Sequence, residues 1–70
     1  SIFDQKKEIN AKIMADGSIK YHNSEGSIHK VAAKIIGAES CNGWTYWHCN
    51  MNGTIVPIDN LRQKLILKAV

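Results

Sequence analysis

The chain reads as a small single-domain α+β protein, two β-hairpins and two helices in the order β-β-α-β-β-α, and three observations predict it. Residues 9–15 alternate apolar and polar side chains and run into Asp16-Gly17, the pattern of a half-buried strand closed by a turn. Residues 28–36 change to the spacing of an amphipathic helix. A second strand-like stretch then breaks at Asn52-Gly53, a dipeptide well suited to a two-residue hairpin turn. Seventy residues make one such unit and leave little room for a long catalytic cleft.

The first eight residues, SIFDQKKE, mix Ile2 and Phe3 with a charged cluster and show no period; they read as an irregular lead-in to a domain of residues 9–70. Next, Ile9, Ala11, Ile13 and Ala15 fall on one side of a strand, with Asn10, Lys12 and Met14 on the other. A two-residue turn at Asp16-Gly17 would set Ile13 opposite Lys20 and spoil that pattern. A three-residue loop, Ala15-Asp16-Gly17, instead pairs Ile13 with Ile19 and Ala11 with Tyr21, and asks Gly17 to take the left-handed position of a bulge, where glycine has no Cβ to clash. The following His22-Asn23-Ser24-Glu25-Gly26 reads as polar loop.

Ser27 suits a helix N-cap and Gly37 a left-handed stop. Between them Ile28, Val31, Ala32, Ile35 and Ile36 gather into one apolar stripe facing the core, and the opposite face carries His29, Lys30, Ala33 and Lys34. No carboxylate lies between Gly26 and Ala38, so an anionic partner fits that face. Residues 38–43 form a second loop with a turn signal at Asn42-Gly43. Strands 44–51 and 54–57 follow, and the Asn52-Gly53 turn pairs Cys49 with Val56 and Asn50 with Ile55. One face then holds Thr45, Trp47, Cys49 and Val56; the other holds Trp44, Tyr46, His48, Asn50 and Ile55. The first is the better core face, because the second adds His48 and Asn50 to its aromatics, and Trp44 is then expected outside, beside Ser27 and Lys30. Pro57 ends the strand and Asp59 caps a last helix from Asn60 to about residue 69, with Ile58, Leu61, Leu65 and Ile66 inward and Lys64 and Lys68 outward. Arg62 falls beside that apolar stripe, where a purely solvated charge is less expected.

The formal charge is only +3, but five of the six acids precede Ser40 and Asp59 alone follows it, a distribution that suits phosphate backbones. Cys41 and Cys49 are too few for a secreted disulfide framework, and there is no signal peptide or long apolar span, so a cytoplasmic location without a membrane partner is expected. A chain starting at Ser1 rather than Met reads as a piece of something longer.

A metal site is not expected, since no CxxC or HxxxH pair is present and the neighbours His48 and Cys49 would point to opposite faces of a strand. No base, orienter and oxyanion site stand at recognisable spacing, and no glycine-rich phosphate loop or paired-carboxylate site is present, so the chain by itself does not read as an enzyme. Nucleic-acid binding uses what is there. A helix N-terminus with the Ser27 hydroxyl can hold a phosphate, Lys30 and Lys34 extend the positive surface, Asn42 can pair with an adenine or hold its loop, and Trp44 and Tyr46 can stack on unpaired bases. The plainer readings stand beside these: Ser27 as a cap, Trp44 as a core plug, both lysines as solvated charges.

GSIHKVAAKIIGAESCNGWTYWH followed by PIDNLR resembles the C-terminal accessory domain of the β-class adenine-N6 DNA methyltransferases, the RAMA (restriction-adenine-methylase-associated) domain, in the group containing the cell-cycle-regulated and GANTC-modifying enzymes. ADGSIKY fits that family's strand-turn-strand, so the resemblance runs from about Ile9 to Arg62. It implies a bacterial parent enzyme that moves a methyl group from S-adenosylmethionine to adenine N6, while this domain grips DNA and supports target recognition. Carried over by motif, Ser27, His29 and Lys30 match SIHK, Asn42 and Trp44 match NGW, and Arg62 matches the LR element. With Lys34 and Tyr46 from the residue argument, these are the candidate DNA-contact residues. The parent's DPPY tetrapeptide and glycine-containing cofactor motif are absent, so neither cofactor nor methyl transfer is assigned to this chain. The partners expected are DNA, the parent's catalytic domain and a second copy in a homodimer. The alternative function is a dimerisation or protein-interaction module that buries the Trp44, Tyr46 and Ile55 face.

Overall fold

The computed structural model describes residues 2–64 and 67. Its centre is an antiparallel six-stranded sheet, β1 (Ile2–Phe3), β2 (Asn10–Ile13), β3 (Ile19–Tyr21), β4 (Ser24–Gly26), β5 (His48–Met51) and β6 (Thr54–Pro57), in the spatial order β4-β3-β2-β1-β5-β6. Helix α1 (Ile28–Ile36) and a single-turn helix α2 (Gly43–Tyr46) pack together, and a 3-10 turn (Ile58–Leu61) follows β6. The predicted order β-β-α-β-β-α therefore needs correcting: the chain runs β-β-β-β-α-α-β-β before the 3-10 turn.

Each addition has a local cause. β1 lies inside the stretch expected to be irregular, yet it occupies the middle of the sheet, with Ile2 opposite Ala11 and Phe3 paired to both Asn10 and His48. Two residues are too few to show a period, but Ile2 is 1% exposed and joins the two hairpin units into one sheet. The turn after it is closed by Asp4, whose Oδ1 accepts from the Ile9 N–H at 2.8 Å. β4 lies in the stretch read as polar loop. It pairs Tyr21 with Ser24 and Ile19 with Gly26 across His22-Asn23, and His22 takes φ 53° to close that turn.

The two hairpin registers agree with the sequence reading: Ile13 faces Ile19 across a loop whose Gly17 has φ 89°, and Cys49 faces Val56 across Asn52-Gly53. Helix α1 also has its expected ends. The Ser27 Oγ accepts from the Lys30 N–H at 3.1 Å, and Gly37 turns left-handed at φ 73°. Its buried side shifts slightly, however: Ala33 is buried and Ile36 is 52% exposed, where the stripe had Ile36 inside and Ala33 outside.

The core gathers Ile2, Ala11, Ile19, Ile28, Val31, Ala32, Trp44, Trp47 and Ile58. The expected strand beginning at Trp44 is corrected: residues 43–46 are helical because the Asn42 Oδ1 accepts from the Trp44 N–H at 3.0 Å and the Trp47 N–H reaches the Gly43 carbonyl at 3.0 Å. The aromatic, β-prone composition of GWTYW had favoured a strand; capping and packing override it. Instead of facing opposite ways, Trp44 and Trp47 both enter the core. At the far end Ile58 is fully buried as expected, but Asp59 lies inside the 3-10 turn instead of capping a helix. The predicted last helix from Asn60 to about residue 69 is corrected over its first half: residues 60–64 finish the 3-10 turn and continue as turns instead of an α-helix, and residues 65, 66, 68 and 69 lie outside the described ones. Among the described residues, no helix is long and apolar enough to cross a membrane.

Candidate nucleic-acid interface

Ser27, His29, Lys30, Asn42 and Trp44 meet around the junction between α1 and α2, Arg62 reaches it through Trp44, and Lys34 and Tyr46 lie away from it. Trp47 lies fully buried under α1 and donates its indole N–H to the Ile28 carbonyl at 3.0 Å, the kind of partner a buried tryptophan needs. His29, one residue on, accepts the Gly43 N–H at Nδ1 over 2.8 Å. Gly43 itself sits so close that a Cβ there would come within 2.6 Å of the Ile28 carbonyl carbon and 2.7 Å of its oxygen. The NGW element thus needs its glycine for backbone-to-backbone approach, with the asparagine as cap and the tryptophan as filler.

Trp44, expected outside, is 8% exposed. The Arg62 guanidinium carbon lies 4.6 Å from its ring centroid, a cation-π stack, and Arg62 Nη2 reaches Asp59 Oδ1 at 2.8 Å. Arg62 answers its awkward place in the sequence by covering an indole and pairing with a carboxylate three residues back, while its side chain stays 54% exposed. Trp44 therefore supports the arginine and presents no open ring face for base stacking.

Lys30 and Lys34 project from the exposed side of α1, and neither makes an ion pair with the described residues. Ser27, His29 and Lys30 line a depression of about 240 Å³ closed by the loop Glu39, Ser40 and Cys41. Burial raises the Cys41 thiol pKa above its ordinary value. Tyr46 goes elsewhere: with Thr45 and His48 it lines a groove against Asp4, Gln5, Lys6 and Glu8. Its hydroxyl pKa is raised, first by burial and then by the nearby Asp4 charge, and that carboxylate makes the groove a poor place for phosphate. Thus Ser27, His29 and Lys30 come together, Asn42 and Trp44 adjoin them through Gly43, and Arg62 sits over Trp44, but Tyr46 stands apart.

Sequence reasoning missed three contributors. Gly43 was read as a turn residue, although a glycine crowded by large aromatics also signals close packing. The Trp47 donor was foreseeable, since an indole placed in the core has one N–H to satisfy. Asp59 carried its own sign, the i, i+3 spacing to Arg62.

Fold and junction define a small antiparallel α+β module whose two helices are packed together over the sheet, with Lys30 and Lys34 exposed on α1 and Arg62 exposed beside Trp44. The family model described as Restriction Enzyme Adenine Methylase Associated (RAMA) matches residues 1–69, and the chain belongs to that family. A Type II methyltransferase, M.HinfI of Haemophilus influenzae, is 31% identical over 62 residues, 89% of this chain and 17% of that protein. The chain thus spans about a sixth of the length of this curated relative.

Proposed function

We propose that this domain is the non-catalytic DNA-binding and target-recognition module of a site-specific adenine-N6 DNA methyltransferase acting in the cytoplasm of a bacterium, in the GANTC-modifying group. The observation that carries the reading is the group of cations exposed on α1 and beside the α1–α2 junction. Lys30 and Lys34 stand one turn apart, neither ion-paired among the described residues although Glu25 lines a depression with them, and Arg62 lies over the Trp44 ring, paired with Asp59, with half its side chain in solvent. The ring contact and the Asp59 pair restrain the guanidinium, and the N–H groups of a pre-placed guanidinium that Asp59 leaves open are suited to a phosphate or a guanine edge. Asn42 is exposed at the same junction, although its Oδ1 is occupied as a cap. In this reading Ser27, His29 and Trp44 act from behind the surface, and Lys30, Lys34 and Arg62 meet the DNA.

The family's association with adenine methylases and the methyltransferase relative support the parent activity. S-adenosylmethionine would serve the parent's catalytic domain. The grooves near Tyr46 and Arg62 are open and lined largely by charged and polar side chains, which do not fit an enclosed nucleoside, so no methyl-transfer step is assigned to these residues.

Titration of labelled duplex and single-stranded DNA at several salt concentrations tests the reading. Binding is expected to weaken as salt rises, and the double change Lys30→Ala, Lys34→Ala should lower the log–log slope on duplex by about 1.8, roughly 0.9 for each phosphate no longer neutralised. Absence of binding to either DNA by the folded chain would refute a direct DNA role. The alternative, a dimer or catalytic-domain contact through Trp44, Tyr46 and Ile55, loses its central residue to the chain's own core. Sedimentation decides it: a stable dimer would favour the alternative.

A further inference from the structure

Helix α2 is one turn long, too short to hold its own shape, and each of its ends is taken by an imidazole. At the start, the Gly43 N–H donates to His29 Nδ1 at 2.8 Å. At the finish, His48 Nδ1 lies 3.0 Å from the Tyr46 carbonyl oxygen. These partners demand opposite proton placements. A ring nitrogen that accepts from a backbone N–H keeps its lone pair there, so neutral His29 carries its proton on Nε2. A ring nitrogen facing a carbonyl carries the proton itself, and His48 can keep that bond whether neutral or charged. Of the two, only the His29 bond is incompatible with a doubly protonated ring.

We infer that His29 is a positioning residue whose neutral, Nε2-protonated form holds α2, and with it Trp44 and the stacked Arg62, in the arrangement that meets DNA. Taking a second proton breaks the link to Gly43 and frees the turn. The inference rests on the proposed DNA-binding role and gives SIHK a purpose other than direct contact. Among the described residues, the charged and titratable groups around His29 are few. Lys30 on its own helix and Glu39 and Cys41 on the following loop line the same depression, α2 contributes Tyr46 at its far end, and Asp59 and Arg62 lie beyond Trp44. The Gly43 N–H has His29 as its side-chain partner, so losing that acceptor leaves a buried residue's donor unmet.

Two measurements on the 70-residue chain test this. Long-range proton–nitrogen spectra of the histidine rings read the tautomer directly, and the Gly43 amide and Trp44 indole signals are followed through acid titration. The same titration, with DNA affinity at each pH, is run on His29→Asn, because an asparagine Oδ1 can stand where Nδ1 does and accept without titrating. Expected are the Nε2-H tautomer, Gly43 and Trp44 signals that move together with the His29 titration, and roughly a two- to tenfold loss of DNA affinity over that interval, about the worth of one net hydrogen bond. In His29→Asn the signal movement and that part of the affinity loss should vanish. An Nδ1-H tautomer, a Gly43 amide indifferent to the titration, or an unchanged pH profile in His29→Asn would overturn the inference. If DNA binds neither chain at any pH, the proposed function fails while the ring spectra still decide the latch. If His29→Asn does not fold, the spectra of the unaltered chain decide it alone.

Discussion

Gly43→Ala is the sharpest stability test, because two known effects oppose each other there. Alanine favours a helix over glycine by about 0.5–1 kcal/mol, so in a four-residue helix the change is expected to help if contacts are ignored. The structure says otherwise. The new methyl would come within 2.6 Å of the Ile28 carbonyl carbon, 2.7 Å of its oxygen and 2.8 Å of its Cγ1, and backbone cannot swing aside as a side-chain tip can. Moving α2 outward would strain the His29–Gly43 bond of 2.8 Å and the Trp47–Ile28 bond of 3.0 Å. Overpacking of this kind costs about 1–3 kcal/mol, and weakening one of those bonds about 0.5–1.5 more. After the propensity gain, a net loss of about 0.5–4 kcal/mol remains, centred on ~2 kcal/mol. In a domain this small, the central value lowers Tm by roughly 8 to 16 °C. Urea and thermal unfolding followed by tryptophan fluorescence measure it directly. A Gly43→Ala chain as stable as its parent within about 0.5 kcal/mol, or more stable, would refute the claim that Gly43 is there for close approach.

Trp47→Phe removes the buried donor to Ile28 and part of the core volume, so a loss of about 2–3 kcal/mol by urea unfolding is expected. Arg62→Ala removes an exposed cation-π stack and an exposed ion pair and should cost about 1 kcal/mol or less in stability, while DNA affinity in the titration falls well beyond that; Arg62→Lys should not restore it, since the planar fork is gone. Burial holds the Cys41 thiol above its ordinary range, so at mildly alkaline pH less of it is thiolate. Alkylation of Cys41 in a Cys49→Ser chain should therefore run slower than for a small free thiol, with its rate still climbing at pH values where the free thiol has levelled off.

What could be read from the sequence was whatever had a period or a cap. Ile13 facing Ile19, Cys49 facing Val56, and α1 between Ser27 and Gly37 all follow from alternation, turn chemistry and helix stops. What escaped was too short for any period. β1 has two residues and α2 four, and both depend on other parts of the chain: Ala11 and His48 for β1, and for α2 His29, beside a local Asn42 cap too short-ranged to tell a turn from a helix. The candidate site was legible as residue types in motif order, but not as roles. Trp44 belongs in the core and Tyr46 beside Asp4, because a one-turn helix aims side chains differently from a strand. His29 faces the next helix turn through Gly43, and nothing in the spacing of SIHK and NGW shows that the two motifs touch.

Whether the basic side chains exposed on α1 and beside the α1–α2 junction meet DNA is tested most directly by mapping the amide signals of the chain that shift when a duplex is added. The shifts should gather at Lys30, Lys34, Asn42 and Arg62, with the junction residues His29 and Gly43 moving by relay. Shifts centred on Asp4, Tyr46 and His48, or no shifts at saturating DNA from a well-dispersed spectrum, would contradict a DNA-binding role for those side chains.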